Sequence, residues 1–150
     1  MDKLIYDRTE MDIKNKTDKG YHNISDLNRV EEWCKYLADV LTSYNYRVDI
    51  ITKTNWQLTD MRRVSEIERV RKNIELLRST YSNIPRNLVV PSNLSPISIT
   101  KANDIEKILF EIDRVIRGME NYFIYSGIGR AGQSWMMQNY FRREWSICLI

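Results

Sequence analysis

The residue types that most often carry out catalysis or bind metals are sparse in this chain. Its 150 residues include one histidine and two cysteines. His22 falls in a turn before a helix start, and Cys34 falls in the apolar stripe of that helix, whereas a nucleophilic thiol needs an accessible, electropositive setting. Cys34 and Cys148 lack metal-type spacing, and no Glu-x-x-His or Cys-x-x-Cys pair occurs. We therefore expect no metal, no cofactor and no nucleophile–base site.

Two further patterns resemble functional motifs only in outline. Carboxylate pairs such as Glu31 with Glu32, or Glu66 with Glu68, are expected on solvated outer faces of helices, whereas acid–base catalysis needs a shifted pKa and a pocket. The stretch GIGRAG at residues 127–132 has the glycine spacing of a phosphate-binding loop, but it follows a helix instead of a strand. We interpret it as the end of that helix and predict that the protein is not an enzyme.

The size, charge and hydropathy of the chain set its broad class. With 150 residues and a formal net charge of +3, it is long enough for one domain with a core, and its charge is too small to indicate nucleic-acid binding by itself. The sequence has no run of about 18 apolar residues, and its start, MDKLIYDRTE, lacks the apolar core of a signal peptide. We expect no membrane span, and a chain kept in a cytoplasm or built into an assembly there.

The most regular pattern lies at residues 102–125. Apolar residues recur there at steps of three and four, which predicts one face of an α-helix. These positions are Ala102, Ile105, Ile108, Leu109, Ile112, Val115, Ile116, Met119 and Phe123. The charged residues between them are expected on the opposite face, and they are Asp104, Glu106, Lys107, Glu111, Asp113, Arg114, Arg117 and Glu120. An apolar stripe this wide needs other helices to cover it.

Two more long helices are predicted upstream. One opens at Ser25, a natural N-cap, and should end near Asn45. Its apolar stripe consists of Leu27, Val30, Trp33, Cys34, Leu37, Val40, Leu41 and Tyr44. The other runs from about residue 63 to residue 81, with Val64, Ile67, Val70, Ile74, Leu77 and Tyr81 on one side. Its outer face is basic, since Arg62, Arg63, Arg69, Arg71, Lys72 and Arg78 outnumber the glutamates there.

The remaining segments are predicted to be irregular. Residues 1–22 form a polar arm with one short helix, capped by Thr9 and ended by Gly20, and such an arm is ordered only when it is tied down. Residues 46–53 are rich in β-branched residues and are either a short strand or an extended connector. Residues 82–98 contain three prolines, which disfavour helix, and we expect them to drape over the bundle until Ser98 or Thr100 caps the last helix.

The fold class that follows is all-α: a small bundle of three long helices plus a short N-terminal one, with an extended arm and tail. The chain divides into the arm at residues 1–22, the helical bundle at residues 23–125 and an aromatic C-terminal tail at residues 126–150. So large an apolar patch at a chain end usually marks contact with another molecule, although the tail can also fold back on its own bundle. The candidate partner-binding residues are Trp135, Met136, Tyr140, Phe141 and Trp145.

Several stretches of the chain together resemble a known group of proteins. They are YDRT at residues 6–9, GYHNISDLNRV at residues 20–30, KTNW at residues 53–56, and KANDIEKIL at residues 101–109 leading to FIYSG at residues 123–127. In this order they resemble structural components encoded among the tail and fibre genes of phages, prophages and phage-tail-like bacteriocins of Gram-positive bacteria. The chain differs from that group by lacking a proline before the third helix and by continuing for more than twenty residues past the Ser-Gly turn.

The resemblance implies a protein of the virion or phage-tail-like particle, placed near the baseplate or fibre and without enzymatic activity. It would be assembled in the host cytoplasm, and its partners would be other tail or baseplate proteins and copies of itself. The alternative is a nucleic-acid-binding helper that uses the basic helix face, with Arg62, Arg63, Arg69, Arg71 and Lys72 as the contact residues. Arg130, Arg142 and Arg143 of the tail would add to such a surface.

Overall fold

The chain folds as a small all-α bundle. The computed structural model describes residues 2–61, 63–80 and 88–126, and of residues 119–126 only the backbone. Four helices lie in these ranges: α1 Glu10–Lys14, α2 Ile24–Ser43, α3 Val64–Thr80 and α4 Ile99–Ser126, with a 3₁₀ turn at Asp18–Gly20. No strand occurs among the described residues. The prediction of three long helices and a short N-terminal one is confirmed.

The start of α2 is fixed by Asn23, so the prediction that Ser25 is the cap was wrong. The Asn23 side chain accepts a hydrogen bond from the backbone N–H of Asp26 at 3.1 Å, and the Asp26 carboxylate accepts one from the Asn23 N–H at 2.8 Å. A cap must precede the first helical turn so that its oxygen faces the N–H three residues later. Ser25 already lies inside that turn and donates its hydroxyl to Asn23.

The short N-terminal helix has the predicted start but not the predicted end. Thr9 caps α1, and its side chain accepts a hydrogen bond from the backbone N–H of Asp12. The helix stops at Lys14, and Gly20 ends the separate 3₁₀ turn. A Cβ atom at Gly20 would lie 2.5 Å from the carbonyl oxygen of Asp12, so glycine is needed for the turn to pack against α1.

The last helix, α4, begins three residues earlier than the apolar pattern predicts. Of the two caps considered, Ser98 is the one used: its hydroxyl oxygen accepts a hydrogen bond from the backbone N–H of Lys101 at 3.2 Å, and its carbonyl accepts one from Ala102. The cap therefore extends the helix by one turn beyond the stripe. The end at Ser126 agrees with the predicted end near Tyr125.

One hydrophobic core joins α2, α3 and α4. Side chains with at most 2% of their surface exposed come from all three helices: Val30, Cys34, Leu37, Leu41, Val70, Ile74, Leu77, Ile105, Ile108, Leu109, Ile112 and Ile116. Val64 was predicted to join them but is 70% exposed, because helical spacing alone does not tell how far along α3 its neighbours reach. Tyr81 and the side chains of Met119 and Phe123 lie outside the described residues.

The segments between the helices add residues to the same core. Leu4 of the arm, Val48 and Trp56 of the first connection, and Leu88 and Leu94 of the second are all buried. Of the two readings of residues 46–53, the extended connector is the correct one. The prediction that the proline-rich segment drapes over the bundle is confirmed for residues 88–98, while residues 82–87 lie outside the described part.

The chain divides into two compact units, residues 1–116 and residues 117–150, and α4 crosses the boundary. The predicted arm, residues 1–22, belongs to the first unit together with α2 and α3. None of the described helices is both long and apolar enough to cross a bilayer.

Candidate functional site: two buried polar clusters

Several charged side chains that were predicted to face solvent are buried. Glu106 and Glu31 are fully buried, and Asp113 is 7% exposed, so their assignment to outer helix faces was wrong. The helical period places Glu106 one position beside the apolar stripe, where a neighbouring segment can cover it. A buried carboxylate needs paired cations and hydrogen bonds to offset its lost hydration, and Glu31 and Glu106 are the centres of two such sets.

The first set, here called the arm cluster, consists of Arg8, Asp26, Arg29 and Glu106. Each of these residues is at most 6% exposed. One Nη atom of Arg8 lies 2.6 Å from Glu106 and 3.0 Å from Asp26. Arg29 donates to both Glu106 oxygens, at 2.9 and 3.1 Å, and is also paired with Asp26. Two cations and two carboxylates thus form one closed network that joins the arm, α2 and α4.

The surroundings of Asp26 and Arg29 in the arm cluster favour the charged forms of these two residues. Burial by itself would raise the pKa of Asp26, but hydrogen bonds from the Asn23 backbone and from Arg29 hold that pKa below its ordinary value. Burial by itself would lower the pKa of Arg29, but hydrogen bonding and attraction to Glu106 and Asp26 raise it. Partners thus outweigh burial at both Asp26 and Arg29.

The first part of the predicted arm, residues 2–8, lies against the bundle like an extended bound peptide. From here on, these residues alone are called the arm. Asn103 of α4 holds its end at both backbone polar groups of one residue: the Arg8 N–H donates to the Asn103 side chain at 3.0 Å, and the Arg8 carbonyl accepts from it at 2.9 Å. The Ile5 N–H donates to Glu106 at 2.6 Å. The indole N–H of Trp33 donates to the Asp2 carbonyl at 2.9 Å.

Apolar contacts accompany these hydrogen bonds. Leu4 is 5% exposed and belongs to the core cluster, and the rings of Tyr6 and Phe110 pack with their centroids 5.0 Å apart. The expectation that the arm must be tied down is confirmed for residues 2–8. What ties it down within this chain is the surface of α2 and α4.

The second set, here called the connector cluster, consists of Glu31, Lys53, Trp56 and Arg69. Arg69 of α3 forms two hydrogen bonds to the Glu31 carboxylate, at 2.5 and 3.0 Å. The indole N–H of Trp56 donates to the same carboxylate at 3.3 Å, and the Lys53 backbone N–H donates at 3.2 Å. The Lys53 ammonium lies 4.0 Å from the centre of the Trp56 ring, a cation–π distance.

Two asparagines hold the connector between α2 and α3. Asn28 repeats the pattern of Asn103: its side chain accepts from the Trp56 N–H at 2.7 Å and donates to the Trp56 carbonyl at 3.1 Å. Asn73, on α3, donates to the Ile51 carbonyl at 2.8 Å. Because an extended segment has no internal hydrogen-bond ladder, these side chains supply the partners that its backbone groups need.

The residues of both clusters come largely from the stretches on which the phage resemblance rests. Residues 6–9 supply Arg8, and residues 20–30 supply Asn23, Asp26, Asn28 and Arg29. Residues 53–56 supply Lys53 and Trp56, and residues 101–109 supply Asn103 and Glu106. These motifs therefore encode the contacts that fix two extended segments to a helical frame. Sequence reasoning missed this role because the partners are far apart in the chain.

The residues first considered for chemistry are not brought together. Cys34 is fully buried as predicted, and burial and the nearby Glu31 raise the pKa of its thiol. His22 is half-buried before α2 and lines a cavity of about 180 Å³ with mainly apolar residues such as Leu27 and Val70. Within the described ranges, no group of three His, Cys, Asp or Glu residues is arranged to hold a metal ion. Cys148 lies outside the described part.

The basic face of α3 is largely neutralised within the protein. Arg69 is paired with Glu31, and Arg71 is paired with Glu68 and Glu75 at 2.8 and 3.0 Å. Arg78 donates to the Leu88 carbonyl at 2.5 Å. Among the residues predicted to meet nucleic acid, Lys72 and Arg63 are exposed, while Arg62 and the tail arginines Arg130, Arg142 and Arg143 lie outside the described residues.

The candidate partner-binding residues Trp135, Met136, Tyr140, Phe141 and Trp145 also lie outside the described residues. Comparison of the chain with protein-family models, with curated proteins and with solved structures finds no match in any of the three.

Proposed function

We propose that this chain is a non-enzymatic structural component of a phage tail or phage-tail-like particle, in the baseplate or fibre region, that bridges neighbouring subunits through its termini. The observation that carries the proposal is that the motif residues of the resemblance are engaged with one another. Arg8, Arg29 and Glu106 are buried and mutually paired, so they stabilise a frame. A stable frame of this kind suits a subunit of a symmetric assembly, in which identical copies meet through repeated contacts.

The C-terminal tail supplies the second argument. Residues 135–150 contain three aromatic or methionine-rich groups within a short span, WMM, YF and W, separated by polar residues. A sequence of this kind presents large anchors of the type that dominate protein–protein interfaces. In this proposal the tail binds a neighbouring tail or baseplate protein.

Deletion of residues 133–150 tests the proposal in the cell that makes the particle. The truncated chain should keep the helical signal and the cooperative unfolding of the full chain but should be missing from purified particles. A matched control replaces the exposed Arg47 by alanine, which should leave incorporation unchanged. Normal incorporation of the truncated chain would contradict the proposed role of the tail, and purified particles that lack the full-length chain would contradict the structural role itself.

A nucleic-acid-binding helper remains the alternative of a different class. The pairing of Arg69 and Arg71 with glutamates lowers the positive charge available on α3, which favours the structural role. Binding through this face would weaken steeply with salt, so a titration with DNA or RNA at about 50 mM salt gives it the best chance. The structural proposal expects no change in the fluorescence anisotropy of labelled DNA or RNA at this salt concentration. A salt-sensitive change that Lys72→Ala and Arg63→Ala reduce would favour the alternative.

A further inference from the structure

We propose that the groove on α2 and α4 that holds the arm also accepts the arm of a second copy of this chain, so that neighbouring copies can exchange residues 2–8. The proposal concerns how copies associate and rests on the groove itself, and not on the identity of the particle. The arm is held as a peptide ligand is held in a binding groove, through its backbone groups and through side chains that fill fixed sites.

The groove recognises the arm by charge as well as by shape. Without Arg8, the other members of the arm cluster are Asp26, Arg29 and Glu106, which together carry one excess negative charge in a buried site. A buried, unbalanced charge is costly, so the groove favours a segment that brings a cation to this place. Arg8 does so while Asn103 binds its backbone N–H and carbonyl and Leu4 fills an apolar site.

The segment that joins the arm to α2 is held much less firmly than the arm. Helix α1, all of whose residues are described, buries none of its side chains, and Met11, Ile13 and Tyr21 are 60%, 42% and 48% exposed. The packing of α1 is local: the Thr17 N–H donates to the Asp12 carbonyl at 3.0 Å. At the other end of the segment, His22 is half-buried beside Leu27 and Val70. This segment, residues 9–22, is here called the linker.

The contacts between the linker and the arm are also weak. The ion pair of Lys19 with Asp7, at 2.9 Å, leaves these side chains 34% and 72% exposed, and exposed pairs contribute little. A separate open cavity of about 410 Å³ lies between the arm, the 3₁₀ turn and the start of α2, and its lining includes Lys3, Asp18 and Asn23. Residues 9–21 can therefore move away without breaking the hydrogen bonds of the arm with Asn103 and Glu106.

The linker is also long enough for exchange. Fully extended, residues 9–22 would span about 45 Å, which is comparable to the size of a small domain. The contacts between arm and groove are the same whether the arm comes from the same copy or from another, so the balance depends on local concentration. A tethered arm competes with an effective concentration in the millimolar range, and copies held side by side in an assembly reach similar values.

Isotope-mixed photocrosslinking of the full chain tests this inference. The photoreactive residue p-benzoylphenylalanine replaces Tyr6, whose ring packs on Phe110, and equal amounts of ¹⁴N and ¹⁵N protein are unfolded in urea and refolded together at about 1 mM. Irradiation and mass spectrometry then show whether the peptides joined at these two positions come from one copy or from two. The same photoreactive residue at the exposed Lys35 is the matched control.

Arm exchange predicts crosslinked pairs of mixed isotope between the arm and the Phe110 peptide, increasing with protein concentration and reduced by Asn103→Ala. Pairs of a single isotope at every concentration would overturn the proposal, and so would mixed pairs that are equally frequent in the Lys35 control. If the photoreactive chain does not fold, a fluorescent peptide of residues 2–9 is titrated onto the full chain carrying Arg8→Ala. Saturable binding that Asn103→Ala abolishes supports the proposal, and no binding up to about 1 mM contradicts it.

Discussion

The guanidinium of Arg8 and the carboxylate of Glu106 lie 98 residues apart in the chain and 2.6 Å apart in the fold. Both side chains are almost completely buried. The pair makes the first residues of the chain part of the frame, because the carboxylates around it are balanced only when Arg8 is in place. The stability of the bundle and the position of the arm should therefore change together.

Replacing Arg8 by methionine should lower the free energy of unfolding by about 3–5 kcal/mol, because it leaves an excess negative charge in a buried site. Urea unfolding followed by the fluorescence of the buried Trp33 and Trp56 measures the change. Lys35→Met is the matched control: its ion pair with Asp39 is exposed, and its effect should stay within about 0.5 kcal/mol. Equal effects of the two substitutions would contradict the role of the arm cluster.

Removing a positive and a negative member together should cost less than the sum of the single changes. Arg8→Met leaves the cluster with one negative charge in excess, and Asp26→Asn leaves it with one positive charge in excess, whereas the double variant is balanced. We expect a coupling free energy of about 1–3 kcal/mol between them. A double-mutant cycle by urea unfolding measures it, and strictly additive losses would show that the two residues act independently.

Asn103 and Asn28, which each hold both backbone groups of one residue in an extended segment, should act locally and separately. Asn103→Ala removes the partner of the Arg8 N–H and carbonyl, and Asn28→Ala removes the partner of the Trp56 N–H and carbonyl, each at a cost of about 1–3 kcal/mol. Hydrogen exchange at single amides distinguishes them. Asn103→Ala should accelerate exchange at Arg8 more than at Trp56, and Asn28→Ala should do the reverse. The same pattern in both variants would mean that the segments are released only by global unfolding.

Two apolar residues, Leu109 of α4 and Val64 of α3, differ sharply in their burial. Leu109→Ala, at a fully buried position of α4, should cost about 2–5 kcal/mol because it leaves a cavity. Val64→Ala, at the 70% exposed start of α3, should change the free energy of unfolding by at most about 0.5 kcal/mol. Thermal unfolding followed by circular dichroism compares them. A large loss on Val64→Ala would show that this residue has a neighbour after all.

The lowered pKa of Asp26 predicts how its contribution depends on pH. Its ordinary value is 3.8, and the folded value lies below that, so the native state binds fewer protons than the unfolded state in this range. The contribution of the carboxylate is complete above pH 3.8 and is lost as the pH falls through the folded value.

The difference in unfolding free energy between the wild type and Asp26→Asn should therefore stay constant from about pH 7 to about pH 5 and narrow below about pH 4. Urea unfolding over that range measures it, with Asp39→Asn on the exposed face of α2 as the control for loss of a surface carboxylate. A difference that widens on acidification would contradict the prediction, because it would mean that the Asp26 carboxyl group is easier to protonate in the folded state.

The local pattern of the sequence determined the helices. Steps of three and four in α2 and α4 selected the residues that pack, such as Leu37 and Ile108, because a helix repeats its faces at that spacing whatever lies opposite. Thr9 could be identified as a cap from the sequence, and the cap of the last helix could be narrowed to Ser98 or Thr100, since a cap bonds to a backbone group three residues away. Val64 was misassigned because its burial depends on neighbours beyond the helix itself. Ser25 was misassigned within the local pattern, since the capping box of Asn23 and Asp26 begins two residues earlier.

Only the tertiary structure decided what the charged residues do. In the sequence, Glu31 and Glu106 cannot be told from glutamates that face solvent. Their burial depends on segments placed 25 and 98 residues away, at Trp56 and Arg8. An ion pair across such a separation leaves no periodic signal in the chain. The sequence therefore specified three amphipathic helices, and the way in which the arm and the connector close over them was settled by long-range pairing of buried charges, which only the folded chain brings together.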